Sequence, residues 1–274
     1  MFGSSRYPIY SNNGYKFLKI SKDQDLKPPL VLLHGMFGGL SNFDPLIKRM
    51  EEFTIYVPLI PLYSFDRKKL SIPGLAKWLN GFCKKCEIIK PVLIGNSMGG
   101  HIALEYARVY PSKVAGLVLA GSSGLFENDF GTTSPKRNDR EYIRKRAALT
   151  FYDDIVTEEL VDEIMAVTQS PEKLPKLLKV ARSTHEYNME DMLADITAPT
   201  LLVWGKEDVV TPPEVAERFH EKLPNAQLKW IEKCGHAPMM ERPEEFVRHL
   251  KPFLEHLIAN KIDYQNYEGN YSHK

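Results

Sequence analysis

One segment limits the possible folds more than any other. Pro91 to Ile94 is a short apolar run. Gly95-Asn96-Ser97-Met98-Gly99-Gly100 follows as a turn, and His101 to Tyr110 then shows a helical pattern closed by Pro111. A buried strand passing through a glycine-rich turn into a helix belongs to an α/β sheet. The flanking sequence continues the alternation. Leu30 to Leu33, Phe53 to Ile60, Val114 to Ala120, Pro199 to Trp204 and Ala226 to Ile231 read as strands. Ile72 to Lys85, Pro213 to Lys222 and Phe246 to Ile258 read as helices. Near the start, Tyr7 to Tyr10 and Tyr15 to Ile20 are β-rich runs around Asn13-Gly14, a strong hairpin signal because both residues tolerate positive φ. The expected fold is α/β: a mostly parallel twisted sheet of about eight strands with helices on both faces.

The alternation stops between residues 124 and 195. Arg140 to Leu149, Glu158 to Val167 and Leu174 to Arg182 show helical patterns, with no convincing strand among them. An all-helical insertion between two strands reads as a lid. The predicted organisation is a core over residues 1–123 and 196–262, a helical lid over 124–195 and a polar tail over 263–274.

The turn matches G-x-S-x-G between a strand and a helix. There it holds Ser97 in a strained conformation with its hydroxyl exposed, and the helix start behind it favours developing negative charge. The competing reading is an incidental serine in a glycine-rich turn. A serine nucleophile needs a base, and His236 lies in Cys234-Gly235-His236-Ala237-Pro238, just after the last strand. Chain order then asks for an acid between them. Asp208 and Glu207, in Trp204-Gly205-Lys206-Glu207-Asp208, both qualify. Its task is to fix the imidazole tautomer and stabilise the imidazolium. Oxyanion donors are expected from the backbone N–H of Met98 and from the loop after His34-Gly35, where Met36 comes first and Phe37 second.

These segments, taken together, resemble the α/β-hydrolase superfamily in its serine-nucleophile branch, over about residues 7 to 258. His34-Gly35, the Gly95 to Gly100 turn, the Trp204 to Asp208 stretch, Cys234-Gly235-His236 and Met240-Glu241-Arg242-Pro243-Glu244-Glu245-Phe246 fall in the family's order. In the family the acid is the last residue of a G-x-x-D stretch, which selects Asp208. The resemblance implies a Ser97–His236–Asp208 triad acting on a small or medium acyl ester through an acyl-enzyme. Dehalogenases and epoxide hydrolases of this fold carry aspartate at the nucleophile position and are disfavoured. Carbon–carbon hydrolases share the serine turn but carry tryptophan where this chain has Ala237, and they use a lid arginine, for which Arg182 is the candidate. Acyl transfer, a lyase reaction and a ligand receptor with little turnover are the other readings of the same fold. Val57 to Leu62 departs from the Gly-rich turn of many relatives, so either a pocket rim is reshaped or the loop has diverged.

Around these motifs Met36, Met98, Met239 and Met240 offer flexible thioethers for an apolar pocket, or simply fill core. Phe37, Phe126 and Phe130 are candidates for its aromatic wall, giving Phe37, Phe126 and Met239 as the expected pocket residues. Lys136 to Arg146 holds six basic residues, readable as a solvated helix face or as an attractor of carboxylates. Cys83 and Cys86 form C-x-x-C without the βαβ context of a redox site or a second ligand pair for zinc. No phosphate-binding glycine motif is present, so no cofactor and no metal are expected.

Composition narrows the setting. The 36 basic and 35 acidic residues nearly cancel, which gives no global field for nucleic acid. No apolar run approaches the ~20 residues that span a bilayer. The start of the chain lacks the pattern of a secretory signal. Three cysteines favour a reducing compartment. The expectation is a cytoplasmic monomer or homodimer taking a small apolar acyl substrate.

Overall fold

The computed structural model describes residues 7–21, 27–128, 136 and 138–259. Eight strands form one sheet: β1 (Ile9–Asn12), β2 (Tyr15–Ile20), β3 (Leu30–Leu33), β4 (Ile55–Pro58), β5 (Val92–Asn96), β6 (Gly116–Ala120), β7 (Thr200–Gly205) and β8 (Ala226–Ile231). Their order is β1-β2-β4-β3-β5-β6-β7-β8. The β1–β2 hairpin and the β2–β4 pair are antiparallel, and the rest are parallel. Asn13 and Gly14 both take positive φ, 47° and 84°, at the hairpin turn the sequence signals.

Period-two alternation divides the buried strands between two cores. Val31, Leu33, Leu93, Leu117, Leu119, Leu202 and Trp204 face one side. There they meet α2 (Ile72–Lys85), α3 (Met98–Val109) and α7 (Pro213–Lys222). Leu30, Leu32, Val92, Ile94, Val118, Leu201 and Val203 face the other. That side is covered by the single turn α1 (Asp44–Ile47) and by α9 (Pro243–Ala259), with the short α8 (Pro238–Glu241) leading into it. A sheet buried on both faces explains the continuous apolar runs that mark its strands.

Between β6 and β7 the chain inserts α4 (Arg140–Ala148), α5 (Glu158–Thr168) and α6 (Leu174–Glu186). Asp139 caps α4 by accepting from the Tyr142 N–H, and Thr157 caps α5 by accepting from the Leu160 N–H. Ile143, Val156 and Val161 make a small core of their own. The expected basic face of α4 is largely salt-bridged within the insertion. Arg140 pairs with Glu158 and Asp162, Arg144 with Glu158, and Lys145 with Glu141.

The structure moves two boundaries that matter. α3 begins at Met98, not His101, and α6 runs on to Glu186 rather than ending at Arg182. Gly99 and Gly100 therefore belong to the helix. A Cβ on Gly99 would fall 2.0 Å from the Leu33 carbonyl oxygen, and one on Gly100 would fall 2.3 Å from Ser122 Oγ. These glycines permit close helix–sheet packing rather than a loose turn. Phe130 and the tail expected over 263–274 lie outside the described residues.

Candidate active site

Strand order reverses around β3 and β5. From β3 the chain moves to β4 on one side, and later to β5 on the other. The loops leaving the C-terminal ends of these two strands diverge, which opens a crevice there. Ser97 sits at this point, between the end of β5 and the first residue of α3. Its backbone adopts φ 54°, ψ −124°. A non-glycine residue held at positive φ stores strain, and such strain concentrates at functional positions. Two constraints hold it. The Ser97 N–H donates to the Ala120 carbonyl at 3.2 Å, and its carbonyl accepts from Ser123 N at 3.1 Å. Gly95 lets the start of α3 pass close against the turn, because a Cβ there would lie 2.4 Å from Gly100 N.

His236 arrives from the loop after β8. Its Nδ1 lies 2.9 Å from Asp208 Oδ2. An ionised carboxylate only accepts, so Nδ1 carries the proton and Nε2 keeps a free lone pair. The Asp208 carboxylate is fully satisfied. Oδ1 accepts from Val210 N and Thr211 N at 2.8 and 3.0 Å, and Oδ2 accepts from Thr211 Oγ1 at 2.9 Å as well as from the imidazole. Glu207 turns elsewhere, accepting from Cys234 N at 3.0 Å. Burial opposes a charge on His236, but the Asp208 carboxylate, aided by Glu127 and Glu241, outweighs it and raises the imidazole above its ordinary pKa. Burial also raises the neighbouring Cys234 thiol, which stays protonated and is no rival nucleophile.

The backbone of His236 is held on both sides. Asn96 Nδ2 donates to its carbonyl and to the Ala120 carbonyl, each at 2.8 Å. The His236 N–H donates to the Thr150 carbonyl of the helical insertion at 2.8 Å. Glu241, buried beneath this loop, accepts from Gly235 N at 3.0 Å, Ala237 N at 3.3 Å and Tyr152 N at 2.7 Å. The same carboxylate thus ties the histidine loop to the insertion.

The loop after β3 is braced by His34. Burial lowers this imidazole to about 4, so it is neutral. Its Nε2 accepts from Ile60 N at 3.2 Å, and Nδ1 donates to the Gly35 carbonyl at 2.8 Å. This bond ties the Val57 to Leu62 segment to the loop after β3. Ile60 and Leu62 are buried core residues, and the segment forms no part of the cavity wall.

Ser97 and His236 both line a cavity of about 690 Å³. Gly35, Met36 and Phe37 contribute from the β3 loop, and Ala237 and Met240 from the histidine loop. Ile143 and Ala147 of α4, Leu160 and Ile164 of α5, and Leu178 and Ala181 of α6 add apolar wall. Arg146 and Arg182 also line it, with Arg182 largely exposed beside Glu186. Two expected pocket residues are corrected. Phe126 is 49% exposed and lies outside the lining, because the buried Leu125 before it takes the inward position. Met239 is buried in the core shared with α9, and the next residue, Met240, faces the cavity instead. Met98 likewise packs its side chain into core, leaving only its backbone at the start of α3.

Residues 30–249 match the profile of the alpha/beta hydrolase family. The chain belongs to that family. A crystal structure of an alpha/beta hydrolase enzyme from the metagenome of Mar Chica lagoon sediments in Morocco superposes with a TM-score of 0.75. The two share 36% identity over 91% of this chain and 98% of that one. A 2-hydroxy-6-oxononadienedioate/2-hydroxy-6-oxononatrienedioate hydrolase of Dechloromonas aromatica is 30% identical over 83% of this chain and 86% of its own length. A monoacylglycerol lipase of Mus musculus is 25% identical over 83% and 76%.

Within this alpha/beta hydrolase, sequence reasoning missed four polar side chains at the site: Asn96, Thr211, Glu127 and Glu241. Asn96 carried a usable signal, as the one amide in an otherwise apolar strand. Thr211, Glu127 and Glu241 did not, because nothing in a polar residue's immediate sequence tells whether the fold encloses it. Cys83 and Cys86 lie at the end of α2, the first buried in core and the second packed at its edge, and both are free thiols. Among the described residues no helix is long and apolar enough to cross a membrane.

Proposed function

We propose that this alpha/beta hydrolase is a serine hydrolase acting on small or medium acyl esters. One arrangement carries the reading: Ser97 at a strained strand–helix turn opens on the same cavity as His236, whose Nδ1 is bonded to the buried Asp208. In the proposed reaction, Ser97 Oγ attacks the carbonyl carbon while His236 Nε2 takes its proton. The backbone N–H groups of Met98 and Met36 receive the oxyanion. His236 returns the proton to the leaving alcohol, and the acyl group remains on Ser97. Water, deprotonated by His236, then releases the acid and regenerates the serine. Asp208 holds the imidazole and balances its charge while it is protonated. The helical insertion serves as a lid whose apolar wall receives the acyl chain. The free cysteines fit a reducing compartment, with the cytoplasm as the place of action.

The relative named as a dienedioate hydrolase keeps a second reading in view, carbon–carbon bond cleavage by the same three residues. Ala237 in place of tryptophan weakens it. Fluorophosphonate labelling with peptide mapping tests the primary reading. The adduct is expected on Ser97 and absent from Ser97→Ala, whose esterase rate should fall by roughly 10⁴-fold or more. Undiminished ester hydrolysis by Ser97→Ala would overturn it. A panel of esters and vinylogous diketones separates the two bond types.

A further inference from the structure

The cavity contains a carboxylate with no part in the proposed reaction. Glu127 lines it together with Ser97 and His236, and its side chain is only 11% exposed. It stands one residue back from the nucleophile, since Ser123 donates its N–H to the Ser97 carbonyl and its hydroxyl, at 2.9 Å, to Glu127 Oε2.

Counting donors shows what this group lacks. An ionised carboxylate offers about four lone-pair directions, and Asp208 fills four with donors. Among the described residues Glu127 has one firm donor, Ser123. The Thr184 hydroxyl lies 3.0 Å from Glu127 Oε1 and 2.7 Å from the Ala181 carbonyl, and its single proton serves only one of them. His185 Nε2 is 3.7 Å away, beyond ordinary hydrogen-bond length. A nearly buried carboxylate this short of donors gains from one supplied by a ligand. It also repels a second negative charge brought into the same enclosed space.

We propose that Glu127 determines specificity in this site, accepting a hydroxyl or ammonium group of the substrate and excluding a carboxylate. The inference rests on the serine-hydrolase reading for the identity of the cavity and adds the charge class of its occupant. Glu127 already contributes to the field that favours protonated His236. Two cationic groups on the wall compete for the role of charge reader. Arg182 is solvated and lies 3.9 Å from Glu186, both more than 70% exposed, so its field is screened. Arg146, on α4, is the rival that an experiment must separate.

Calorimetry with hexylammonium and hexanoate on the full chain makes that separation without turnover. The wild type is expected to bind the ammonium at least tenfold more tightly. Glu127→Gln should reduce this preference at least fivefold, and Arg146→Gln should preserve or widen it. Equal affinities in the wild type, or a preference unchanged in Glu127→Gln, would overturn the assignment. So would a preference that depends on Arg146 alone. Matched 4-nitrophenyl esters ending in methyl or carboxylate should show the same ordering in kcat/KM per fluorophosphonate-titrated site. If all esters resist hydrolysis and no Ser97 adduct forms, the serine-hydrolase reading fails, while the calorimetric ratio still decides the role of Glu127. Should Glu127→Gln fail to fold, the wild-type and Arg146→Gln ratios carry the decision.

Discussion

At the residue scale, the Asp208–His236 pair makes the sharpest prediction. In the proposed reaction His236 is the general base and must be neutral. Because the imidazole is raised above its usual value, kcat/KM should fall as pH drops, with a midpoint above 6.5 on the acid side. Asp208→Asn removes the main cause of that rise and leaves burial opposed only by Glu127 and Glu241. The residual activity, lower by roughly 10⁴-fold as for the loss of a triad carboxylate, should then show its acid limb at lower pH. An unmoved limb would mean that Asp208 does not set the charge on His236. Ser97, His236 and Asp208 stood out in the sequence as candidates, since each lies in a short motif whose chemistry is local, and the fold brings Ser97 and His236 to one cavity with Asp208 bonded to the imidazole. Choosing Asp208 over Glu207 required the family pattern, and the hydrogen bonds give the physical reason: Glu207 is spent on Cys234 N. Glu127 and Glu241 were not legible as site residues, because a carboxylate in a polar stretch looks the same in sequence whether it is solvated or enclosed.

At the element scale, the strands and helices followed from apolar runs and caps, but the link between them did not. The insertion meets the core at the histidine loop through Thr150, Tyr152 and Asp153. Thr150 accepts from His236 N, Tyr152 N donates to Glu241, and Asp153 pairs with Arg242 at 2.7 Å. Glu241 is the centre of this junction, with three backbone donors on one buried carboxylate. Glu241→Ala would leave those N–H groups without an acceptor. Stability should drop by about 1–3 kcal/mol. Activity should drop as well, with the loss in kcat larger than any rise in KM, because the histidine loop loses its support while the apolar wall stays in place. Urea unfolding and steady-state kinetics on the same preparation measure both. Wild-type values for the two together would mean that the junction does not support His236.

At the scale of the whole molecule, the two halves of the architecture are built with different strength. β3, β5, β6 and β7 are buried on both faces between two extensive cores. Among the described residues, the insertion's own buried cluster consists of Ile143, Val156 and Val161, and much of its surface is held by exposed ion pairs, which contribute little individually. α6 differs from its neighbours, because Val180 joins the main core on the α3 side of the sheet. Local opening should therefore be graded across the chain. Native-state hydrogen exchange is expected to show α4 and α5 opening at a small fraction of the global unfolding free energy, α6 at an intermediate value, and β5 and β6 only with global unfolding. Such a gradient would let a substrate of the proposed reaction enter beneath α4 and α5 without disturbing the sheet that holds Ser97 in its strained turn. Protection in α4 equal to that in β5 would instead make the insertion part of the rigid core, and substrate would have to reach Ser97 past a fixed wall.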